Sequence, residues 1–374
     1  MGETEAVGAL ATTLEHAASS QLPTVPEEVT ASWLAGVLGT KIKSINLEKV
    51  LPGTATKLYI SVEYESDEDA DEAAPRPTHL CVKGGFTPAF VESTPWIVVF
   101  YQREVEFFNR VAPSLDRMEV PKTLWAGSNA KQGIIVMDDL VAQGCEFSDS
   151  AEVWPVSWVL SGVEQLAALH AKTWGAELVD YPWLTSGASD YDHAILTLMQ
   201  TFDTVADDPR RPAVRDYLTS QERVTAALKK HNATRNKPKF RCLLHGDPHT
   251  GNTYLSKGAP RFCDWQVVQI GSAFHDIAYF VGGALSIEDR RAHEWEIVDH
   301  YLATLEKLGA PAFSRKQEDV LREYRKSFLS GVGWVLCPYS MQPEKQVHAM
   351  AARYVAALKD HKVLELVESL LDVE

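Results

Sequence analysis

The chain has 374 residues, with 36 Lys and Arg against 51 Asp and Glu, a formal charge of −15; 45% of residues are hydrophobic and 23% charged. That composition is globular and large enough for two domains or lobes, which excludes a disordered chain. An acidic surface repels phosphate backbones and anionic lipid, so no nucleic-acid or membrane partner is expected.

Residues 1–23 lack sustained periodicity and are expected to form a loosely ordered arm. No Lys or Arg precedes Lys41, and Ala6 stands where a myristoylation signal has Ser or Thr, so the expected compartment is cytoplasmic. A short helix is expected from Pro26, with Val29, Trp33, Leu34, Val37 and Leu38 at helical spacing and Gly39 as its stop. The period then changes to two. Ile45, Leu47 and Val50 lead to a turn at Pro52-Gly53, Leu58, Ile60 and Val62 mark a second strand, and Leu80 and Val82 a third. Between the last two, the run from Glu65 to Glu72 reads as a solvated hairpin tip held open by its own repulsion.

A helix is expected over Trp96 to Val111, followed by strands near Lys122 to Ala126 and Gly133 to Met137. Beyond Trp154 the pattern is mainly helical, broken by short strands near Arg241 to His245, Thr253 to Leu255 and Arg261 to Cys263. The chain therefore divides into a β-rich N-terminal lobe over residues 24–140 and a helical C-terminal lobe over 141–374. No apolar run reaches the roughly 20 residues of a membrane-spanning helix. The five cysteines are odd in number, widely spaced and without a CxxC pair, as expected of reduced thiols.

The chemistry concentrates in His245-Gly246-Asp247-Pro248-His249-Thr250-Gly251-Asn252, followed by Asp264-Trp265-Gln266. The interval fits a loop leaving one strand, a hairpin starting at Asn252 and a return strand that delivers Asp264 beside it. An amide oxygen and a carboxylate converging in this way suit Mg²⁺. Asp247 is left to accept a hydrogen bond from a hydroxyl. Phosphoryl transfer needs this division of labour, because its barrier falls mainly through positioning and charge neutralisation.

The loop resembles the HGDxHxGN catalytic loop of the aminoglycoside phosphotransferase and choline kinase superfamily, and the Asp-Trp-Gln that follows looks more like its ecdysteroid-kinase-like branch. The resemblance implies an α+β, protein-kinase-like two-lobed fold with a small antiparallel β-rich N-lobe and ATP with Mg²⁺ between the lobes. It makes Lys83 the phosphate-binding Lys, held by Glu104 in an ion pair, and places Gly53 and Thr54 over the nucleotide phosphates. Backbone groups near Asp138 and Leu140 would meet the adenine edge. Asn252 and Asp264 would hold the metal, and Asp247 would take the proton of an acceptor hydroxyl. His245 becomes a loop-shaping residue, Asp276 a prop for the loop and His170 a satisfied core histidine.

Gly246 replaces the Arg of protein-kinase HRD, Trp265-Gln266 replace the Phe-Gly of DFG, and no Ala-Pro-Glu segment follows, which argues for a small-molecule alcohol and against a protein substrate. Two other readings compete. His245, Asp247 and His249 could form the metal cluster of a hydrolase, which leaves Lys83 and Glu104 unexplained. A pseudokinase would only bind nucleotide, yet Lys83, Asp247, Asn252 and Asp264 are all present. Aromatics of the C-terminal half, Tyr279 and Trp334 among them, could line an acceptor pocket or simply fill a core; Trp265 has the same two readings. The acceptor and the oligomeric state are not legible.

Overall fold

The computed structural model describes residues 21–65, 76–184, 190–211, 214–234 and 238–370. Most of the expected arm and all of the acidic run except Glu65 lie outside these residues. The chain divides into two compact units, Met1–Ser114 with Pro121–Cys145, and Leu115–Val120 with Glu146–Glu374.

The first unit is a five-stranded antiparallel sheet in the order β1-β2-β3-β5-β4, formed by β1 (Ile42–Leu51), β2 (Thr56–Tyr64), β3 (His79–Gly84), β4 (Thr123–Asn129) and β5 (Gln132–Asp138). Edge strand β1 is largely exposed, whereas every residue of β5 is buried, as its run of branched residues requires. Leu58, Ile60, Leu80, Val82, Ile134 and Val136 form the core with Leu34 of α1 (Ala31–Leu38). Helix α1 begins later than the Pro26 expected from spacing. Pro26–Glu28 is a separate 3₁₀ turn, and the helix starts where the Thr30 hydroxyl accepts from the Trp33 N–H. Gly39, at φ +61°, ends it. Helix α2 (Val98–Glu106) packs on β5; the expected Trp96–Val111 helix thus has a regular centre, with a 3₁₀ turn before it and a wider π turn over Phe107–Val111.

The second unit is mainly helical. Helix α3 (Val156–Lys172) packs against α4 (Phe274–Ala284) and α5 (Ile287–Lys307). All three expected strands form: β7 (Arg241–Leu244), β8 (Thr253–Ser256) and β9 (Ala259–Phe262). Two more escaped the sequence reading: β6 (Glu146–Phe147), which pairs with β8, and β10 (Gln269–Ser272), which pairs with β7. Lys257 and Gly258, both at positive φ, make the tight β8–β9 turn. All five cysteines are free, and no described helix is long and apolar enough to cross a membrane.

Candidate active site

Of the residues singled out by sequence, Gly53, Thr54, Lys83, Glu104, Asp138 and Leu140 belong to the first unit and Asp247, Asn252 and Asp264 to the second. In the first, Lys83 on β3 and Glu104 on α2 meet with Nζ 2.8 Å from Oε1 and 2.7 Å from Oε2, both side chains being almost wholly buried. Removing one member of such a pair strands the other charge away from water. Gly53 and Thr54 lie in the turn that joins β1 to β2 across the Leu51–Lys57 register. At the end of β5, the Asp138 N–H already donates to the Lys122 carbonyl at 3.1 Å, so the backbone group this residue has left to offer is its carbonyl. Asp139 caps the following turn, its Oδ1 accepting from the N–H groups of Val141 and Ala142.

In the second unit the loop after β7 is fastened by α4, residue by residue. Asp276, fully buried, accepts from the His245 N–H at 2.7 Å and the Gly246 N–H at 3.0 Å. His275 Nε2 donates to the Gly246 carbonyl at 3.0 Å. The Tyr279 hydroxyl, one turn on, donates to Asp247 Oδ1 at 2.7 Å. Behind them, His170 Nε2 donates to Asp276 at 3.2 Å while its Nδ1 accepts from the Tyr301 hydroxyl at 2.9 Å. Burial alone would push the Asp276 carboxyl up, but the hydrogen bond from His170 and the favourable electrostatics of the surrounding His170, His275 and His245 rings hold it below the usual carboxylate range. Gly246 has φ +88°, and a Cβ there would run into the Val267 carbonyl, so the loop tolerates only glycine where protein kinases carry Arg.

Asp247 Oδ2 lies 3.2 Å from Asn252 Nδ2, which also donates to the Asp247 carbonyl at 3.0 Å. With its nitrogen so engaged, the Asn252 amide has its oxygen left over to meet a cation. The Cys263 N–H donates to the Asn252 carbonyl at 2.9 Å, which extends the β8–β9 pairing and brings Asp264 to the same end of the hairpin. Asp264 adopts φ +67°, a left-handed conformation that side-chain-bearing residues hold at a cost of about 1 kcal/mol. An amide oxygen and a carboxylate at one end of a hairpin suit Mg²⁺, which takes few protein ligands and completes its shell with phosphate and water.

The two histidines of the loop are committed elsewhere. His245 Nδ1 accepts from the Asp247 N–H at 3.3 Å and its Nε2 donates to the Cys263 carbonyl at 3.0 Å, a neutral ring that burial favours by lowering its pKa. His249 Nδ1 accepts from the Gly251 N–H at 3.0 Å, with Nε2 3.5 Å from Asp247. Among the described residues no three His, Cys, Asp or Glu side chains converge to hold a metal. Trp265 is fully buried with its ring 4.5 Å from that of His245, a packing position beneath the loop.

Residues 54–310 match the Ecdysteroid kinase-like family. Among solved structures, a choline kinase from Cryptosporidium parvum Iowa II is similar with a TM-score of 0.54 and 13% identity, over 92% of this chain and 94% of the other. The choline kinase LicA from Streptococcus pneumoniae gives a TM-score of 0.48 and 14% identity over 90% and 98%. An aminoglycoside phosphotransferase in ternary complex with ADP and hygromycin B gives 0.46 and 11% over 88% and 97%. No curated protein sequence matches the chain.

Proposed function

Because the chain belongs to the ecdysteroid kinase-like family, we propose that it moves the γ-phosphoryl group of Mg-ATP to a hydroxyl of a small molecule. The observation that carries this reading is the Asp247 carboxylate, held at both oxygens by Tyr279 and Asn252 on a loop that α4 anchors at three consecutive residues. A carboxylate fixed in this way can receive an acceptor hydroxyl in one orientation, which is what in-line transfer asks of the enzyme.

In the proposed reaction Lys83, oriented by Glu104, pairs with the nucleotide phosphates as a compact point charge. Gly53 and Thr54 approach the same phosphates through their backbone, and the Asp138 carbonyl with the Leu140 N–H meet the base. Asn252 and Asp264 would hold Mg²⁺, which when bound would neutralise charge on the phosphate oxygens. Asp247 accepts the proton of the acceptor hydroxyl as the new O–P bond forms and the bond to ADP breaks. No covalent enzyme intermediate is needed. The choline kinase named for the similar solved structure accords with a small-molecule acceptor, and the anchored Gly246 leaves no Arg for a protein-kinase activation segment.

Mg-ATP binding tests the first half of this reading. A ligand that binds only the folded chain adds about 2.7 kcal/mol of stability at one hundred times its Kd, so a clear rise in melting temperature with Mg-ATP is expected. No nucleotide-dependent shift, together with zinc bound at stoichiometric occupancy, would instead favour a metal hydrolase.

A further inference from the structure

The β1–β2 turn contains a single glycine, Gly53, so its backbone is not preformed into a phosphate cradle by sequence alone. It is held by a side chain from elsewhere. The hydroxyl of Tyr101, on α2, donates to the Thr54 carbonyl at 2.6 Å. Tyr101 lies three residues before Glu104, hence on neighbouring turns of one helix face. Its ring crosses Gly85, where an added Cβ would collide with the ring edge, and Gly85 is fixed in turn by Gln132, which accepts from the Gly85 N–H at 2.8 Å and donates to its carbonyl at 3.1 Å. Burial pushes the Tyr101 phenol up to about 12, with Lys83 acting in the opposite direction, so the hydroxyl keeps its proton at neutral pH.

A trans peptide points its C=O and N–H to opposite sides. Drawing the Thr54 carbonyl onto Tyr101 therefore turns its negative end inward and aims the Ala55 N–H away from the helix. For a turn meant to receive an anion, this engages a carbonyl that would otherwise repel it and fixes the adjoining N–H in one orientation. Resting on the nucleotide reading above, we propose that Tyr101 is a positioning residue that shapes the β1–β2 turn for the terminal phosphates of a nucleoside di- or triphosphate. It does so from the helix that carries Glu104, so the turn and the Lys83–Glu104 pair are set together. A nucleoside monophosphate gains nothing from the device.

The test is the isosteric Tyr101→Phe, titrated calorimetrically with Mg-ATP, Mg-ADP and AMP. Losing one hydrogen bond that orients a charged-ligand site is expected to weaken Mg-ATP and Mg-ADP by roughly 5- to 20-fold and AMP by less than about 2-fold. Equal weakening of all three would make Tyr101 a merely structural residue, and unchanged affinity for all three would equally overturn the proposal. The Lys83→Met chain, titrated in parallel, separates this outcome from failure of the nucleotide reading. If Lys83→Met loses Mg-ATP affinity while Tyr101→Phe does not, only the role of Tyr101 falls; if the wild-type chain binds no nucleotide, the nucleotide reading falls with it.

Discussion

Asp247→Asn is expected to leave Mg-ATP affinity within about 2-fold of wild type and to lower turnover by roughly 10²- to 10⁴-fold, the span typical of a lost general base. The change keeps the size of the side chain and one oxygen able to accept from Tyr279, so the loop should hold its shape. What disappears is the charge and the capacity to take a proton. The new amide nitrogen also faces Asn252 Nδ2, a donor meeting a donor, so the hydrogen bond on that side of the carboxylate is lost. Steady-state kcat with nucleotide affinity measured separately checks this, and full turnover in the variant would remove Asp247 from the chemistry.

Asp276→Asn is expected to be the most damaging single change to the loop's stability, at about 3 kcal/mol, read as a shift in the denaturation midpoint. The carboxylate accepts from two backbone N–H groups and from His170 with no exposure to solvent. An amide must offer a donor to at least one of these donors, leaving a buried N–H without an acceptor. The pH dependence has a definite sign. The folded carboxyl is held below its unfolded value, so its contribution is fully present above the unfolded pKa of about 3.9 and is lost as pH falls through the lower folded value. Wild type should therefore lose its advantage over Asp276→Asn in strong acid, while the gap stays constant from about pH 5 upward. A variant as stable as wild type at neutral pH would show that the loop does not depend on this anchor.

Much of the site was legible because its residues are close in sequence. Asp247 and Asn252 fall on one loop and Asp264 just past the return strand of one hairpin, so spacing alone constrains them. The Lys83–Glu104 pair, 21 residues apart, became legible through order along the chain, and the structure brings the two side chains into contact. Tyr279 reads from the sequence only as a pocket or core aromatic, and its bond to Asp247, like that of His275 to Gly246, escapes the sequence for a physical reason. Both residues lie on α4, whose residues are all buried and read as ordinary core, and the bonds that give them meaning reach back 32 and 29 residues. Tyr101 is concealed in the same way, its hydroxyl meeting a backbone carbonyl 47 residues away. In the fold, Gln269–Ser272 escaped because it has no apolar alternation and is a strand only by pairing with β7. The start of α1 was misplaced because Thr30, whose hydroxyl caps it, stands within an apolar spacing that runs on both sides. Gly246 shows the converse: its departure from the protein-kinase pattern was visible, but the Val267 carbonyl that excludes any larger residue was not.

The central claim is phosphoryl transfer to a small alcohol, and the most direct measurement is to incubate the wild-type chain with Mg²⁺ and ATP labelled at the γ-phosphate across a panel of sterol-like alcohols, choline, aminoglycosides and other hydroxylated metabolites. The account predicts a labelled phosphomonoester of at least one of them, formed only with the divalent ion present and suppressed in Asp247→Asn. Label appearing in peptides and in no small alcohol, or no transfer from a nucleotide that the chain demonstrably binds, would contradict it.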